Sequence, residues 1–141
     1  MTHERVCIQA KANFHQIDPA HLRRIVRVVR RIKIPVAAKT ELGKIVKQIV
    51  NFYKPQKIIL FGSYAHGHVH ADSDLDLLII KKTSKRFLDR LANVRRIVSD
   101  PQRSIPFAPI VVTPAEIEKR LAIGDQFIEE IINRGRILYA A

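Results

Sequence analysis

Two apolar segments separated by a short polar stretch constrain the fold of this chain more than any other feature. Residues 57–61 and 75–80 are rich in Ile and Leu and have the length of buried strands. The first segment runs into Gly62-Ser63, and Asp74 and Asp76 stand at the start of the second. In an extended strand the side chains at i and i+2 leave the same face, so we expect the two carboxylates to point together. The pattern predicts a strand, a Gly-Ser turn and an antiparallel strand.

Together, these two motifs predict phosphate chemistry. Carboxylates roughly 6–7 Å apart on one strand face repel each other unless a cation lies between them, and Mg²⁺ is preferred where phosphates supply further ligands. The Gly62-Ser63 turn would offer backbone N–H groups and a hydroxyl to such phosphates. Alone, either motif is more often a solvated edge, a turn or a helix cap. With ten residues between Ser63 and Asp74, they predict a phosphoryl- or nucleotidyl-transfer site.

The spacing resembles a known family, the minimal nucleotidyltransferase (MNT) domains of the DNA polymerase β superfamily. Their signature is a strand, Gly-Ser, a spacer like the ten residues found here, and Asp-x-Asp on the next strand. Residues 61–65 (FGSYA) and 73–78 (SDLDLL) match it, and the likeness covers roughly residues 40–140. The resemblance implies an α+β fold, the polymerase-β-like nucleotidyltransferase palm, with a mixed sheet and helices mainly on one face.

The same resemblance implies roles for individual residues. Mg²⁺ would be the cofactor and ATP the substrate, with Asp74 and Asp76 as metal ligands and catalytic residues. The nucleotide-binding residues would be Gly62, Ser63, Tyr64 and His66. Catalysis in this family is mostly positioning of the triphosphate and neutralisation of its charge.

The sequence departs from the family pattern at two positions. His66 stands where the family commonly carries arginine, and a neutral imidazole is a weaker phosphate clamp. The family's third carboxylate would fall near Ala108, but residues 101–112 contain no Asp or Glu. Asp72 and Glu116 are conceivable replacements. Because losing a positioned base costs about 10²–10⁴-fold in rate, slow transfer and nucleotide binding without transfer both fit the sequence.

Two functions therefore stay open. Many stand-alone MNT proteins are encoded with a HEPN-domain RNase toxin and neutralise it by transferring AMP from ATP to a tyrosine. By resemblance, this chain is expected to be such an antitoxin with a HEPN-type protein partner. The alternative is an MNT domain with impaired catalysis that binds a partner protein or RNA. The acceptor, the nucleotide preference and the oligomeric state are open, and an oligomer is compatible with the sequence.

Composition narrows the range of partners. The net charge of +12 and the isoelectric point near 10.4 favour polyanions such as nucleic acid, ATP or an acidic protein surface. No apolar run approaches the ~18–20 residues of a membrane span and no signal-peptide core is found, so a cytoplasmic location is expected. Cys7 is the single cysteine, which excludes an internal disulfide. We expect His68 and His70 to be exposed loop residues rather than metal ligands.

Residues 1–36 are expected to form a basic extension before an MNT domain at 37–141. Asp18 and Pro19 predict a helix start, and the following apolar residues recur at helical spacing. The other positions are dense in arginine, which indicates a surface for RNA, an acidic partner or a membrane, or else a solvated face. The candidate polyanion-binding residues are Arg23, Arg24, Arg27, Arg30 and Arg31. The apolar island at residues 6–8 is compatible with a strand or a disordered arm.

Caps, prolines and apolar periodicity predict the other elements. In chain order these are a linker at 34–38, a helix from Thr40 to about Tyr53, a helix at 85–99 capped by Thr83 or Ser84, a strand at 107–112, a helix from a Thr113–Glu116 capping box to about Leu121, a helix opened by Asp125 and ended by Gly135, and a strand at 136–139. The last helix is expected to bury Phe127, Ile128, Ile131 and Ile132.

Overall fold

The computed structural model describes residues 17–141, so the apolar island at residues 6–8 and Cys7 lie outside the described part. In chain order the described elements are α1 (Pro19–Arg31), α2 (Val36–Phe52), β1 (Lys57–Phe61), α3 (Ser63–His66), β2 (Leu75–Ile80), α4 (Phe87–Ile97), β3 (Phe107–Val112), α5 (Pro114–Ala122), α6 (Gln126–Arg134) and β4 (Arg136–Ala140). No helix among them is both long and apolar enough to cross a membrane.

The four strands form one mixed sheet in the order β3-β2-β1-β4. β1 pairs antiparallel with β2 and with β4, whereas β2 and β3 run parallel. The β1–β2 register runs from Lys57 opposite Ile80 to Phe61 opposite Asp76, so the end of β1 lies beside the start of β2. The predicted α+β fold with a mixed sheet, as in the polymerase-β-like palm, is confirmed.

Each face of the sheet carries its own apolar core. Side chains alternate along β2, so Leu75, Leu77 and Ile79 belong to a larger core while Leu78 and Ile80 belong to a smaller one. α1, α2 and α4 contribute to the larger core, and α5 and α6 contribute to the smaller one. The three longest helices thus cover one face, as predicted, and two nine-residue helices pack on the other.

α1 packs into the larger core. Asp18 accepts a hydrogen bond from the backbone N–H of Ala20, which confirms the predicted helix start. Ile25 and Val29 are buried against the same core as α2, and burial of each such side chain is worth about 1.5–3 kcal/mol. The described part of the predicted extension is therefore packed onto the predicted domain at 37–141.

The start of α2 differs from the prediction. The helix begins at Val36 rather than at Thr40, so the linker predicted at 34–38 is wrong for its last three residues. Pro35 occupies the N-cap position, and its fixed φ favours entry into a helix without a side-chain cap. Ala38 is buried in the larger core, and this burial stabilises helical backbone at this position.

α4 begins without a side-chain cap, whereas α5 begins with one. The Thr83 hydroxyl accepts a hydrogen bond from the Lys85 N–H in a turn, and α4 starts only at Phe87 with Arg86 at its N-cap, so the predicted cap at Thr83 or Ser84 is wrong. At α5 the predicted capping box is confirmed. The Thr113 hydroxyl accepts from the Glu116 N–H, and the Glu116 carboxylate accepts from the Thr113 N–H.

The last helix, α6, buries less of its surface than predicted. Asp125 caps it, and Ile128 and Ile131 are buried, as expected. Phe127 and Ile132 were expected to be buried too, but they are 49% and 39% exposed. A nine-residue helix on one side of a sheet turns only a narrow stripe toward it, and these two residues flank that stripe.

An ion pair between a buried arginine and a partly exposed glutamate joins α4 to α5. Arg90 Nη1 and Nη2 lie 2.9 and 2.8 Å from the two carboxylate oxygens of Glu116, and Arg90 Nε donates to the Lys85 carbonyl. Arg90 is only 6% exposed, so the carboxylate of Glu116, rather than water, compensates its positive charge. The hydrogen bonds from Arg90 lower the pKa of Glu116 from its ordinary value of 4.5.

We expect Glu116→Gln to lower the free energy of unfolding at pH 7 by about 1–3 kcal/mol, because it leaves Arg90 buried without a counter-charge while glutamine still completes the capping box. The figure is below that of a fully buried pair because the Glu116 side chain is 41% exposed. Its lowered pKa means that Glu116 contributes stability above its unfolded pKa and that this contribution is lost as pH falls through the folded pKa. Urea denaturation at several pH values should show the difference from wild type shrinking below about pH 4. Glu118→Gln, at an exposed position of α5, is the control, and an equal effect of both variants at pH 7 would contradict this reading.

Candidate functional site

The site is built where β1 ends beside the start of β2. Gly62 follows β1 with φ +73° and ψ −155°, a conformation that is essentially restricted to glycine. A Cβ atom at Gly62 would collide with Oδ2 of Asp76, so the carboxylate lies directly against the glycine backbone. The two sequence motifs, separated by ten residues, therefore meet in space as predicted.

Asp74 and Asp76 form a pair at the start of β2. Asp74 is exposed just before the strand, and Asp76 is half-buried within it, on the face of the smaller core. Burial raises the pKa of Asp76, and the nearby charge of Asp74 raises it further. Both effects oppose the second negative charge, and a bound cation would relieve them. Oxygen ligands of this kind suit Mg²⁺, with its other ligands coming from phosphates and water.

A four-residue helix, α3, carries the other predicted nucleotide-binding residues. It is bounded by Gly62 and by Gly67, whose φ is +75°. Ser63 is half-buried at its first position and His66 is exposed at its last. The Tyr64 side chain is 5% exposed and belongs to the larger core. The ring therefore anchors α3 to the core instead of lining the site, and the predicted contact of Tyr64 with nucleotide stays a prediction that only its backbone could meet.

The position of the missing third carboxylate is now defined. The parallel register of β2 and β3 places Ala108 directly beside Asp76, so a residue there would face the same side of the sheet. Glu116 lies beyond the far end of β3, and its carboxylate is bound to Arg90 and to the backbone N–H of Thr113. It therefore cannot replace the third carboxylate. Asp72 is exposed in the turn before β2. Within residues 17–141, no group of three potential metal-ligating side chains is gathered.

The loop histidines show the exposure that was expected. His68 and His70 lie between α3 and β2 and are both exposed. The loop is held by Ser73, which is buried and whose hydroxyl accepts a hydrogen bond from the His70 N–H at 2.9 Å. The Ser73 N–H in turn donates to the His70 carbonyl at 3.0 Å. This turn brings the chain into β2 immediately before Asp74.

Arg136 is a residue at the site that sequence reasoning missed. It opens β4 opposite Leu60, and its Nε donates to the Ala65 carbonyl at 3.0 Å. This bond joins the C-terminal end of α3 to the edge strand and holds a short helix that has glycines at both ends. No sequence signal marks this role, because the two partners are 71 residues apart.

A cleft beside Gly62 also escaped the sequence. It has a volume of about 220 Å³ and lies between the α3 turn, which provides Gly62 and His66, and α6, which provides Phe127 and Glu130. The ring of Phe127 meets the ring of Phe61 edge to face, with 5.7 Å between their centroids. We call this space the Phe127 cleft. The sequence did not predict this cleft because Phe127, which was expected to be buried, is half exposed.

The candidate polyanion-binding arginines do not join this site. All five are exposed on the outer side of α1, namely Arg23, Arg24, Arg27, Arg30 and Arg31. The buried side of α1 packs into the larger core, whereas Asp76 lies on the face of the smaller core. The basic surface and the carboxylate pair are therefore on opposite sides of the sheet.

The close approach of Gly62 to Asp76 makes a direct prediction. Gly62→Ala should lower the free energy of unfolding by about 2–4 kcal/mol, from the strained positive φ and the displaced carboxylate. Gly43→Ala is the matched control, because a Cβ there meets no atom within 4 Å and alanine in a helix interior should add about 0.5–1 kcal/mol. Guanidinium denaturation measures both, and a Gly62→Ala protein as stable as wild type would refute the contact.

Comparison with known proteins agrees with this geometry. Residues 40–138 match the family described as the nucleotidyltransferase domain. The chain is also similar to two proteins of Methanocaldococcus jannaschii, each named "Putative protein adenylyltransferase". One is 44% identical over 63 residues, which cover 43% of this chain and 43% of that relative. The other is 31% identical over 104 residues, which cover 74% of this chain and 94% of that relative. The resemblance to MNT domains of the polymerase β superfamily is thereby confirmed, and the chain belongs to the nucleotidyltransferase domain family.

Proposed function

We propose that this protein transfers AMP from ATP to a hydroxyl of a partner protein, and that it acts as the antitoxin of a HEPN-type partner. The observation that carries the transfer proposal is the contact of Gly62 with the Asp76 carboxylate, beside Asp74. It joins an anion-binding turn to a candidate metal site, which is the arrangement that a nucleoside triphosphate with its metal requires. The names of the two relatives support adenylyl transfer in particular. A cytoplasmic location, where ATP is abundant, is part of this proposal.

In the proposed reaction, the acceptor oxygen attacks the α-phosphorus of ATP. The bond from that phosphorus to the β-phosphate bridging oxygen breaks, pyrophosphate leaves, and the hydroxyl proton passes to solvent or a nearby base. Asp74 and Asp76 would hold Mg²⁺, which when bound would neutralise phosphate charge and polarise the reacting oxygens. The backbone of Gly62 and the N–H and hydroxyl groups of Ser63 would orient the β- and γ-phosphates.

The chain's own residues set the expected rate. Ala108 stands beside Asp76, at the position where the family's third carboxylate is expected. A missing positioned base typically costs about 10²–10⁴-fold, so we propose slow transfer. His66, exposed at the end of α3, offers phosphate no permanent positive charge, unlike the arginine that is common at this position in the family.

A second function is favoured by one separate observation, the exposed arginine surface of α1. Because it lies across the sheet from Asp76, it would leave the nucleotide site accessible while contacting an acidic partner protein or RNA. In this alternative the protein masks its partner without chemistry. A HEPN-type protein with an acidic face would be able to use such a surface.

Labelled ATP separates the two functions. The protein is incubated with Mg²⁺ and the product of the neighbouring gene, with either α- or γ-labelled ATP. We expect label on the partner from α-labelled ATP only, with loss of at least about 100-fold in the Asp74→Ala/Asp76→Ala variant, because metal binding is lost. Asp89→Ala, at an exposed site on α4, is the control and should retain transfer.

The outcome that contradicts transfer is equally defined. If the partner stays unlabelled and its protection survives the Asp74→Ala/Asp76→Ala double substitution, binding alone accounts for the function. In that case, replacing Arg23, Arg27 and Arg30 by glutamine should abolish protection. Transfer of label from γ-labelled ATP would instead identify a kinase-type reaction and refute adenylyl transfer.

A further inference from the structure

The Phe127 cleft adjoins the phosphate-binding turn but has a different character. Gly62 and His66 border it on the side of α3, whereas Phe61, Phe127 and Ile131 make it largely apolar elsewhere. Its volume of about 220 Å³ is below the ~300–1,000 Å³ of pockets for drug-sized ligands. The cleft therefore suits a flat fragment of a nucleotide rather than a whole nucleoside triphosphate.

Phe127 offers an aromatic surface in this cleft. Its ring is held edge to face against Phe61, and 49% of the residue is exposed. An exposed ring that is fixed by a neighbour provides a stacking platform for a nucleobase with little loss of side-chain entropy. α6 keeps this platform in place, because Ile128 and Ile131 are buried in the smaller core.

Glu130 adds a polar group one turn further along α6. Glu130 follows Phe127 by three residues, which puts both on one side of the helix. It lines the same cleft and is exposed. An ionised carboxylate accepts hydrogen bonds and donates none, and it repels phosphate. Glu130 would therefore favour N–H or O–H donors of the uncharged part of a nucleotide and would direct the phosphates away, toward the Gly62 turn.

We infer that the Phe127 cleft is the nucleoside-binding pocket of this protein, with Phe127 stacking on the base and Glu130 accepting a hydrogen bond from the nucleoside. The inference rests on the proposed function, since it assumes that Gly62 and Ser63 bind the triphosphate. It names the residues that would determine which nucleotide is used. A carboxylate acceptor favours a base with an exocyclic amino group over the same ring system without one, or else it binds the ribose hydroxyls.

Calorimetric titration in the presence of Mg²⁺ tests this with two ligands, ATP and inorganic tripolyphosphate, which has no nucleoside. We expect Phe127→Leu to weaken ATP binding by roughly 5- to 100-fold, the range that loss of base stacking produces. Glu130→Gln keeps an acceptor oxygen but removes a charge that repels phosphate, so it should lower the affinity for ATP relative to the affinity for tripolyphosphate. Tripolyphosphate should bind Phe127→Leu as it binds wild type and should bind Glu130→Gln at least as tightly, which also shows that both variants are folded.

The chain offers a matched control for each variant. Phe87→Leu replaces a phenylalanine that is also 49% exposed but lies on α4, and Glu129→Gln replaces the exposed carboxylate next to Glu130. Both should bind ATP like wild type. With wild-type protein, purine riboside triphosphate removes the exocyclic amine and 2′,3′-dideoxy-ATP removes the ribose hydroxyls. The ligand that Glu130→Gln no longer distinguishes from ATP identifies the group that Glu130 binds.

Three results would overturn the inference, and one of them would also overturn the proposed function. If wild type binds ATP and tripolyphosphate equally and neither variant changes ATP binding, the nucleoside lies elsewhere while the proposed phosphate site stands. If the variants weaken both ligands equally, Phe127 and Glu130 act only on the structure. If wild type binds neither ligand, the proposed function itself fails.

Discussion

The contact between the Gly62 backbone and the Asp76 carboxylate is the constraint on which the site depends. It requires a glycine with positive φ, and it requires the β1–β2 register that sets Phe61 opposite Asp76. A slip of one residue would turn Asp76 into the larger core, where an unpaired carboxylate is costly. Packing on both faces of the sheet therefore stabilises this one register. The register also sets the position of α3, which begins directly after Gly62. Tyr64 fixes that helix from the core side, and Arg136 fixes it from the edge strand.

The residues suited to binding Mg²⁺ and phosphate are present at the site, whereas two groups that would speed nucleotidyl transfer are not. Asp74, Asp76 and the Gly62 turn make a site suited to Mg²⁺ and phosphates, and burial, together with the nearby charge of Asp74, raises the pKa of the half-buried Asp76. Ala108 and His66 remove two groups that would speed transfer, a base and a permanent positive charge. The five arginines of α1 do not compensate, because they lie on the other side of the sheet. A slow transferase that meets its partner on a basic surface is consistent with each of these features.

Strands and caps could be predicted because their signals are local. The apolar runs at 57–61, 75–80 and 107–112 coincide with β1, β2 and β3, and Asp125 caps α6 as expected. The start of α2 could not be predicted from its residues, because burial of Ala38 in the larger core extends the helix toward Pro35.

The candidate site was predictable where spacing carried it and not where tertiary packing did. The pairing of Gly62 with Asp76 followed from the strand–turn–strand pattern. The inward turn of Tyr64, the bond from Arg136 to Ala65 and the exposure of Phe127 depend on how α3, β4 and α6 pack, which no local pattern encodes. Helical periodicity identified the apolar residues of α6 but not the width of the stripe that reaches the sheet.

The affinity for ATP with and without Mg²⁺ tests the central claim most directly. If Asp74 and Asp76 form a metal-dependent phosphate site with the Gly62 turn, removing Mg²⁺ leaves two carboxylates facing the triphosphate. Calorimetric titration should then show ATP binding weakened by about tenfold or more, equal to about 1.4 kcal/mol, and Asp76→Asn should abolish most of that dependence. Equal affinity in Mg²⁺ and in EDTA, or tighter binding without the metal, would contradict the account.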